Sequence, residues 1–107
     1  MAITRAKFKD TITITFTPKI IDLNGDTIVV SPSATSVVLE TFDRNPHQLK
    51  TYVPIENPDG SYTVDIYLDP SENSEIAPEK IFMVSFYWTY NTNEFVNREI
   101  IRVVNAE

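Results

Sequence analysis

The sequence predicts an all-β chain, folded as an antiparallel β-sandwich of about seven or eight strands. Three observations carry this. Ile81–Tyr90 is an almost unbroken apolar and aromatic run, with Phe82, Val84, Phe86, Trp88 and Tyr90 on one face and Ile81, Met83 and Tyr87 on the other. Such a strand belongs inside a sheet, with something covering each side. Tyr62, Val64, Ile66 and Leu68 alternate with Thr63, Asp65 and Tyr67, the pattern of a strand with one wet face. No long window places apolar residues at helical spacing between caps, while threonine, valine, isoleucine and tyrosine are plentiful.

Each element follows in order. Ala6, Phe8, Ile12, Ile14 and Phe16 share one parity, and only Asp10 interrupts it. A single strand over the 13 residues 5–17 would be about 43 Å long, well beyond the usual length. A break near Lys9-Asp10 is therefore expected, and Pro18 ends the pairing. Asn24-Gly25 suits a tight hairpin because both residue types tolerate positive φ. Thr27–Val30 returns from it as a short strand, and Ser31-Pro32-Ser33 breaks it. Ser36–Phe42 is the next strand, with Val37 and Leu39 on one side and Val38 and Phe42 on the other. Asp43-Arg44-Asn45-Pro46 turns the chain. Leu49–Ile55 follows, with Leu49, Val53 and Ile55 on one face and Pro54 assigning it to an edge. Asn57-Pro58-Asp59-Gly60 makes the second strong turn, before the alternating strand at Tyr62–Leu68. Asp69–Lys80 is acidic and holds Pro70 and Pro78, as in a loop with room for one short helical turn. After Ile81–Tyr90, Asn91-Thr92-Asn93 turns into a last strand, Glu94–Val104, with Ile101 and Val103 opposite Ile100 and Val104.

The length of 107 residues suits one domain, residues 1–107, with residues 1–9 as a candidate N-terminal arm. There is no cysteine, which excludes disulfides, thiolate metal sites and cysteine nucleophiles and fits a reducing cytoplasm. The opening Met1–Lys7 lacks an apolar stretch, so no secretory signal is expected. No run approaches the 18 apolar residues or so of a membrane span. A net charge of −6 disfavours nucleic acid as a partner. The charge is uneven. Arg5, Lys7 and Lys9 sit near the start, and Glu56, Asp59, Asp65, Asp69, Glu72, Glu75 and Glu79 cluster mid-chain. An ordinary solvated surface accounts for this, and so does head-to-tail complementarity between copies.

The segments SATSVVLETFD, YVPIENPDGSYTVDIYL, IFMVSFYWTY and REIIRVVN share a rhythm that resembles immunoglobulin-like domains of bacterial surface proteins and tailed-phage virion proteins. In those, a V-x-L strand precedes a DGSY hairpin, an aromatic-rich strand follows, and a short final strand ends the domain. The matching pieces are Val37–Asp43, Asp59–Ile66, Val84–Trp88 and Arg98–Val104, and the resemblance runs from Ser33 to Asn105, roughly two-thirds of the chain. The missing signal turns the resemblance toward phage proteins, which assemble in the host cytoplasm. It implies a place in capsid decoration, neck or tail, with other virion subunits as partners, and it brings no catalytic residues.

Residues able to carry chemistry are few. His47, the single histidine, lies in a turn, and no Gly-x-Ser-x-Gly elbow accompanies it. Asp22, Asn24 and Asp26 resemble the start of a calcium loop. The EF-hand pattern needs glycine at position six and glutamate at position twelve, where this chain has Thr27 and Ser33, so the hairpin is the better account. Asp69, Glu72, Glu75 and Glu79 offer oxygen ligands, yet isolated acidic loops ordinarily stay hydrated. No cofactor or metal is expected, and no enzymatic activity.

The candidate interface residues are Arg5, Lys7, Phe8, Lys9, Tyr67 and Tyr87. Two readings suit the first four: an ordinary first strand that switches sheets at Asp10, or an arm that pairs with a neighbouring subunit by strand addition. Tyr67 and Tyr87, with Tyr52 near, form either cross-strand packing or a flat aromatic surface for sugars or protein. The expected function is a non-enzymatic structural protein of a phage virion, present in many copies. A carbohydrate-binding module using the tyrosines is the alternative.

Overall fold

Alternation and turn residues resolve into ten strands in the computed structural model, which describes residues 3–105: β1 (Ile3–Lys7), β2 (Thr11–Phe16), β3 (Lys19–Ile21), β4 (Thr27–Val29), β5 (Ala34–Thr41), β6 (Gln48–Tyr52), β7 (Ile55–Glu56), β8 (Tyr62–Tyr67), β9 (Ile81–Tyr90) and β10 (Asn93–Val104). The described residues contain no helix, so the Asp69–Lys80 loop lacks the helical turn its sequence allows. The strands form a five-stranded sheet in the order β1-β10-β9-β5-β6, a three-stranded sheet in the order β2-β8-β7, and a β3-β4 hairpin. All pairings are antiparallel except β1 with β10, which is parallel.

One core joins the two larger sheets. Phe82, Val84, Phe86 and Trp88 of β9 enter it with Val37 and Leu39 of β5 and Ile101 and Val103 of β10. From the other sheet come Ile14, Phe16, Tyr62, Val64 and Ile66. Phe86 stacks on Phe16 at 5.3 Å between ring centroids and meets Tyr62 at 5.4 Å, so contacts between aromatic rings cross from sheet to sheet. Ile76 anchors the acidic loop to this core, and Val30 and Ile20 anchor the β3-β4 hairpin.

The strand count departs from seven or eight for two reasons. Lys19–Ile21 pairs back on Thr27–Val29 across the Asn24-Gly25 turn, adding a strand too short for alternation to reveal. The expected Leu49–Ile55 strand is two strands in different sheets, because Pro54 has no N–H for a ladder and the chain changes sheets there. Val53 and Ile55, expected on one face with Leu49, are 90% and 68% exposed, whereas Leu49 packs against the core.

The break near Lys9-Asp10 is the other crossing. Lys9 takes a φ of 71°, and the crossing is tied to both sheets. Phe8 N–H donates to the Val104 carbonyl at 2.8 Å, and Lys9 N–H to the Leu68 carbonyl at 2.7 Å. The β9–β10 hairpin closes through Asn91-Thr92, both at positive φ (50° and 65°), the signature of a two-residue type I′ turn.

Candidate functional site

The six interface candidates do not form one patch. Arg5 and Lys7 lie on β1, in register with Arg102 and Val104 of β10 and on the outward side of the five-stranded sheet, since Ala6 between them is buried. Phe8 packs against the core. Lys9 stands at the crossing, 5.6 Å from the centroid of the Phe8 ring. Tyr67 points outward from the three-stranded sheet, and its hydroxyl donates to Asp69 at 3.3 Å. Tyr87 points outward from the five-stranded sheet, and its hydroxyl donates to Glu40 at 3.0 Å. The two tyrosines thus leave the core in opposite directions and share no platform. Tyr52 joins neither surface. It packs against the core, and its hydroxyl is buried with no hydrogen-bond partner among the described residues and pushed up to about 12 by burial and the nearby Glu72. Of the candidate arm, Ile3–Lys7 is paired with β10 of its own chain, and residues 1–2 lie outside the described residues.

The outward face of the five-stranded sheet is partly apolar. Three rows cross it: Glu40, Met83 and Ile100; Val38, Ser85 and Arg98; Ser36, Tyr87 and Val96. The Tyr87–Glu40 hydrogen bond links the first row to the third and so spans the middle one. Val38 and Ser85 are buried beneath it although no second sheet lies there. Ile100 is buried too, and the Ser85 hydroxyl has no hydrogen-bond partner among the described residues. On this side of Ile81–Tyr90 the Tyr87–Glu40 bridge lies over Ser85, which is paired in register with Arg98.

At the far end of this sheet lies an open groove of about 400 Å³, lined by Thr35, Ser36, Tyr87, Trp88, Thr89 and Phe95 among others. Its aromatic rings are held in place. Trp88 stacks on Phe95 at 4.4 Å, and its indole N–H donates to Asn97 at 3.0 Å. Along the strand, Tyr87 is six residues from Ile81, which shares the register of Arg5 and Arg102. At strand rise that is about 20 Å, so the groove and the basic end of the sheet are separate surfaces.

The titratable candidates are paired singly. His47 Nε2 lies 2.8 Å from Glu75 Oε2, and that contact raises the imidazole above its ordinary value, helped by the Asn45 carbonyl. Glu72 pairs with Lys50 at 2.8 Å and Glu79 with Arg102 at 2.6 Å. Asp69 accepts from the Ser71 N–H at 2.8 Å, which holds its carboxyl below the usual range. The four acidic side chains of the loop are directed to four different partners, and no three metal-ligating groups converge among the described residues. Asp22 Oδ1 accepts from the N–H groups of Asn24 and Asp26, both at 2.9 Å, a hydrogen-bonded turn within the β3-β4 hairpin. No described helix is long and apolar enough to cross a membrane. Set against known protein families and curated proteins, the chain matches none.

Proposed function

We propose that the chain is an immunoglobulin-like β-sandwich serving as a non-enzymatic structural module of a bacteriophage particle, in capsid decoration, neck or tail. The observation that carries this reading is the strand order. β10-β9-β5-β6 follows the order G-F-C-C′ of that fold, and β2-β8-β7 follows B-E-D. In addition, β1 runs parallel beside the last strand, and the β3-β4 hairpin is set into the connection between β2 and β5. Partly exposed apolar side chains on the outward face of the five-stranded sheet, Ile3 and Val96 among them, support action by protein contact. Its partners are other capsid or tail subunits, met in many copies, so that weak single contacts add up through multivalency. A net charge of −6 fits protein partners better than nucleic acid.

The test is particle association. Purified protein mixed with phage particles stripped of it should sediment with them and saturate at a fixed number of copies. Antibody to the protein should label intact particles in electron micrographs. Protein that stays in the supernatant, with no labelling of any particle, overturns the proposal.

A further inference from the structure

The two larger sheets end in four edge strands, and three of them are guarded. β1 carries Arg5 and Lys7, charges that oppose pairing with a like strand. β6 is flanked by the acidic loop, through the Lys50–Glu72 ion pair and the Asn73 amide on the Leu49 carbonyl at 3.3 Å, and a register shift at Leu39/Glu40 interrupts its pairing with β5. β7 has two residues and stands between Pro54 and Pro58. The fourth, β2, is Thr-Ile-Thr-Ile-Thr-Phe: six residues with no charge, proline, glycine or bulge. Among the described residues no backbone hydrogen bond reaches its free side.

The ladder identifies which groups are free. Leu68 N–H donates to the Asp10 carbonyl at 2.9 Å, which marks Asp10/Leu68 as a hydrogen-bonded pair. Antiparallel pairs alternate, so Ile12, Ile14 and Phe16 turn their N–H and C=O groups to β8. Thr11, Thr13 and Thr15 turn theirs outward, three donors and three acceptors in a row.

We infer that this edge takes the β2 strand of a second copy of the chain, antiparallel, about a twofold axis at Thr13. The register sets Thr13 opposite Thr13 and Thr11 opposite Thr15, so that all six free groups are met by six hydrogen bonds. The same register sets Ile12 opposite Ile14 on the core side and threonine opposite threonine on the wet side, which like strands tolerate. Charge permits it. Asp10, just before the strand, falls opposite Phe16 of the other copy, and Asp65 lies one strand inward at the level of Thr13, its carboxylate accepting from the Thr13 hydroxyl at 2.6 Å. The two Asp65 backbones would stand about three strand spacings apart, roughly 14 Å, and each carboxylate is held on a Thr13 hydroxyl, leaving a repulsion that salt screens. The two sheets then run on as one sheet of six strands, β7-β8-β2 from each copy. This contact is between copies of the chain and stands apart from particle association, because purified protein alone tests it.

Sedimentation velocity on the full chain should find a monomer–dimer equilibrium that tightens as salt rises, because each copy carries −6. Thr13→Pro removes an outward N–H that β8 does not use, so the domain keeps its ladder while dimer affinity falls by at least about tenfold. Thr13→Glu adds a second pair of carboxylates beside Asp65 on the twofold axis and should be monomeric alone, whereas Thr13→Lys, whose charge Asp65 partly offsets, should self-associate more weakly than wild type. Mixed in equal amounts they should form a heterodimer, with unchanged circular dichroism showing that each variant is folded. A wild-type chain that stays monomeric at all concentrations overturns the inference. So does a dimer that survives Thr13→Pro, that weakens with salt, or that is not restored by mixing the two charged variants.

Discussion

At the scale of single residues, the backbone stores strain where a β-branched side chain occupies a left-handed turn position. Thr92 has a φ of 65° in the second position of the Asn91-Thr92 turn, where type I′ geometry favours glycine. Thr92→Gly should therefore stabilise the chain by about 1 kcal/mol, read as a raised urea midpoint with an unchanged slope; a lowered midpoint would mean that the Thr92 side chain contributes contacts worth more than the strain. His47 gives a residue-scale prediction of a different kind. Its folded value is raised above 6.5 by the Glu75 hydrogen bond, so protonated His47 favours the folded state. That contribution is full below the unfolded value and vanishes as pH rises through the folded one. His47→Gln should lower the melting temperature at about pH 5 and leave it unchanged at about pH 9, with thermal melts of both proteins across that range as the measurement. The turn position of His47 is legible in the sequence, but its partner is not. Glu75 lies 28 positions away in a loop whose path depends on burial of Ile76.

At the scale of elements, β8, β9 and β10 were legible because each is long enough to show its period. β3 and β7, with three and two residues, are shorter than any alternation that marks a strand. The sheet change at Val53-Pro54 carried a signal in the proline, though proline alone does not separate an edge strand from a crossing. β9 also shows what alternation leaves out. Ser85 and Phe86 are adjacent and both fully buried, yet they face opposite sides of one sheet. Phe86 is held by rings from the second sheet, whereas Ser85 lies under a Tyr87–Glu40 bridge between residues 47 apart in the chain, which no local pattern encodes. Phe86→Ala should cost about 3–5 kcal/mol. Ser85→Ala removes a hydroxyl that has no partner among the described residues, and it should be neutral or stabilising by up to about 1 kcal/mol. Equilibrium denaturation of both variants checks the pair. A loss above about 1 kcal/mol for Ser85→Ala would mean that the hydroxyl is satisfied in solution.

At the scale of the whole molecule, the first and last strands of the described chain are neighbours. Ile3 is in register with Ile100 and Lys7 with Val104, so the first strand closes the sheet that the last strand extends. The parity of residues 5–17 and the Asp10 break foretell that the chain bends there, but a parallel partner nearly a hundred positions away leaves no local mark. The physical content of the crossing lies in its burial and its hydrogen bonds. Ala6 is buried beside Val103, Phe8 packs on the core, and the Phe8 and Lys9 N–H groups bond to opposite sheets. Deleting Met1–Lys7 should therefore strip one side of β10, expose Val103 and remove a ladder of five paired residues. A loss of at least about 2 kcal/mol follows if each ladder bond is worth about 0.5–1 kcal/mol net, and for a chain of this size that lowers the melting temperature by about 10 °C or more. Calorimetry of the truncated chain at a concentration that keeps it monomeric makes the measurement. An unchanged melting temperature would mean that β1 adds nothing to its own domain, leaving Arg5 and Lys7 on a strand free to pair with a neighbouring copy. A large drop would place the chain's interaction chemistry on its sheet faces and on the uncharged β2 edge.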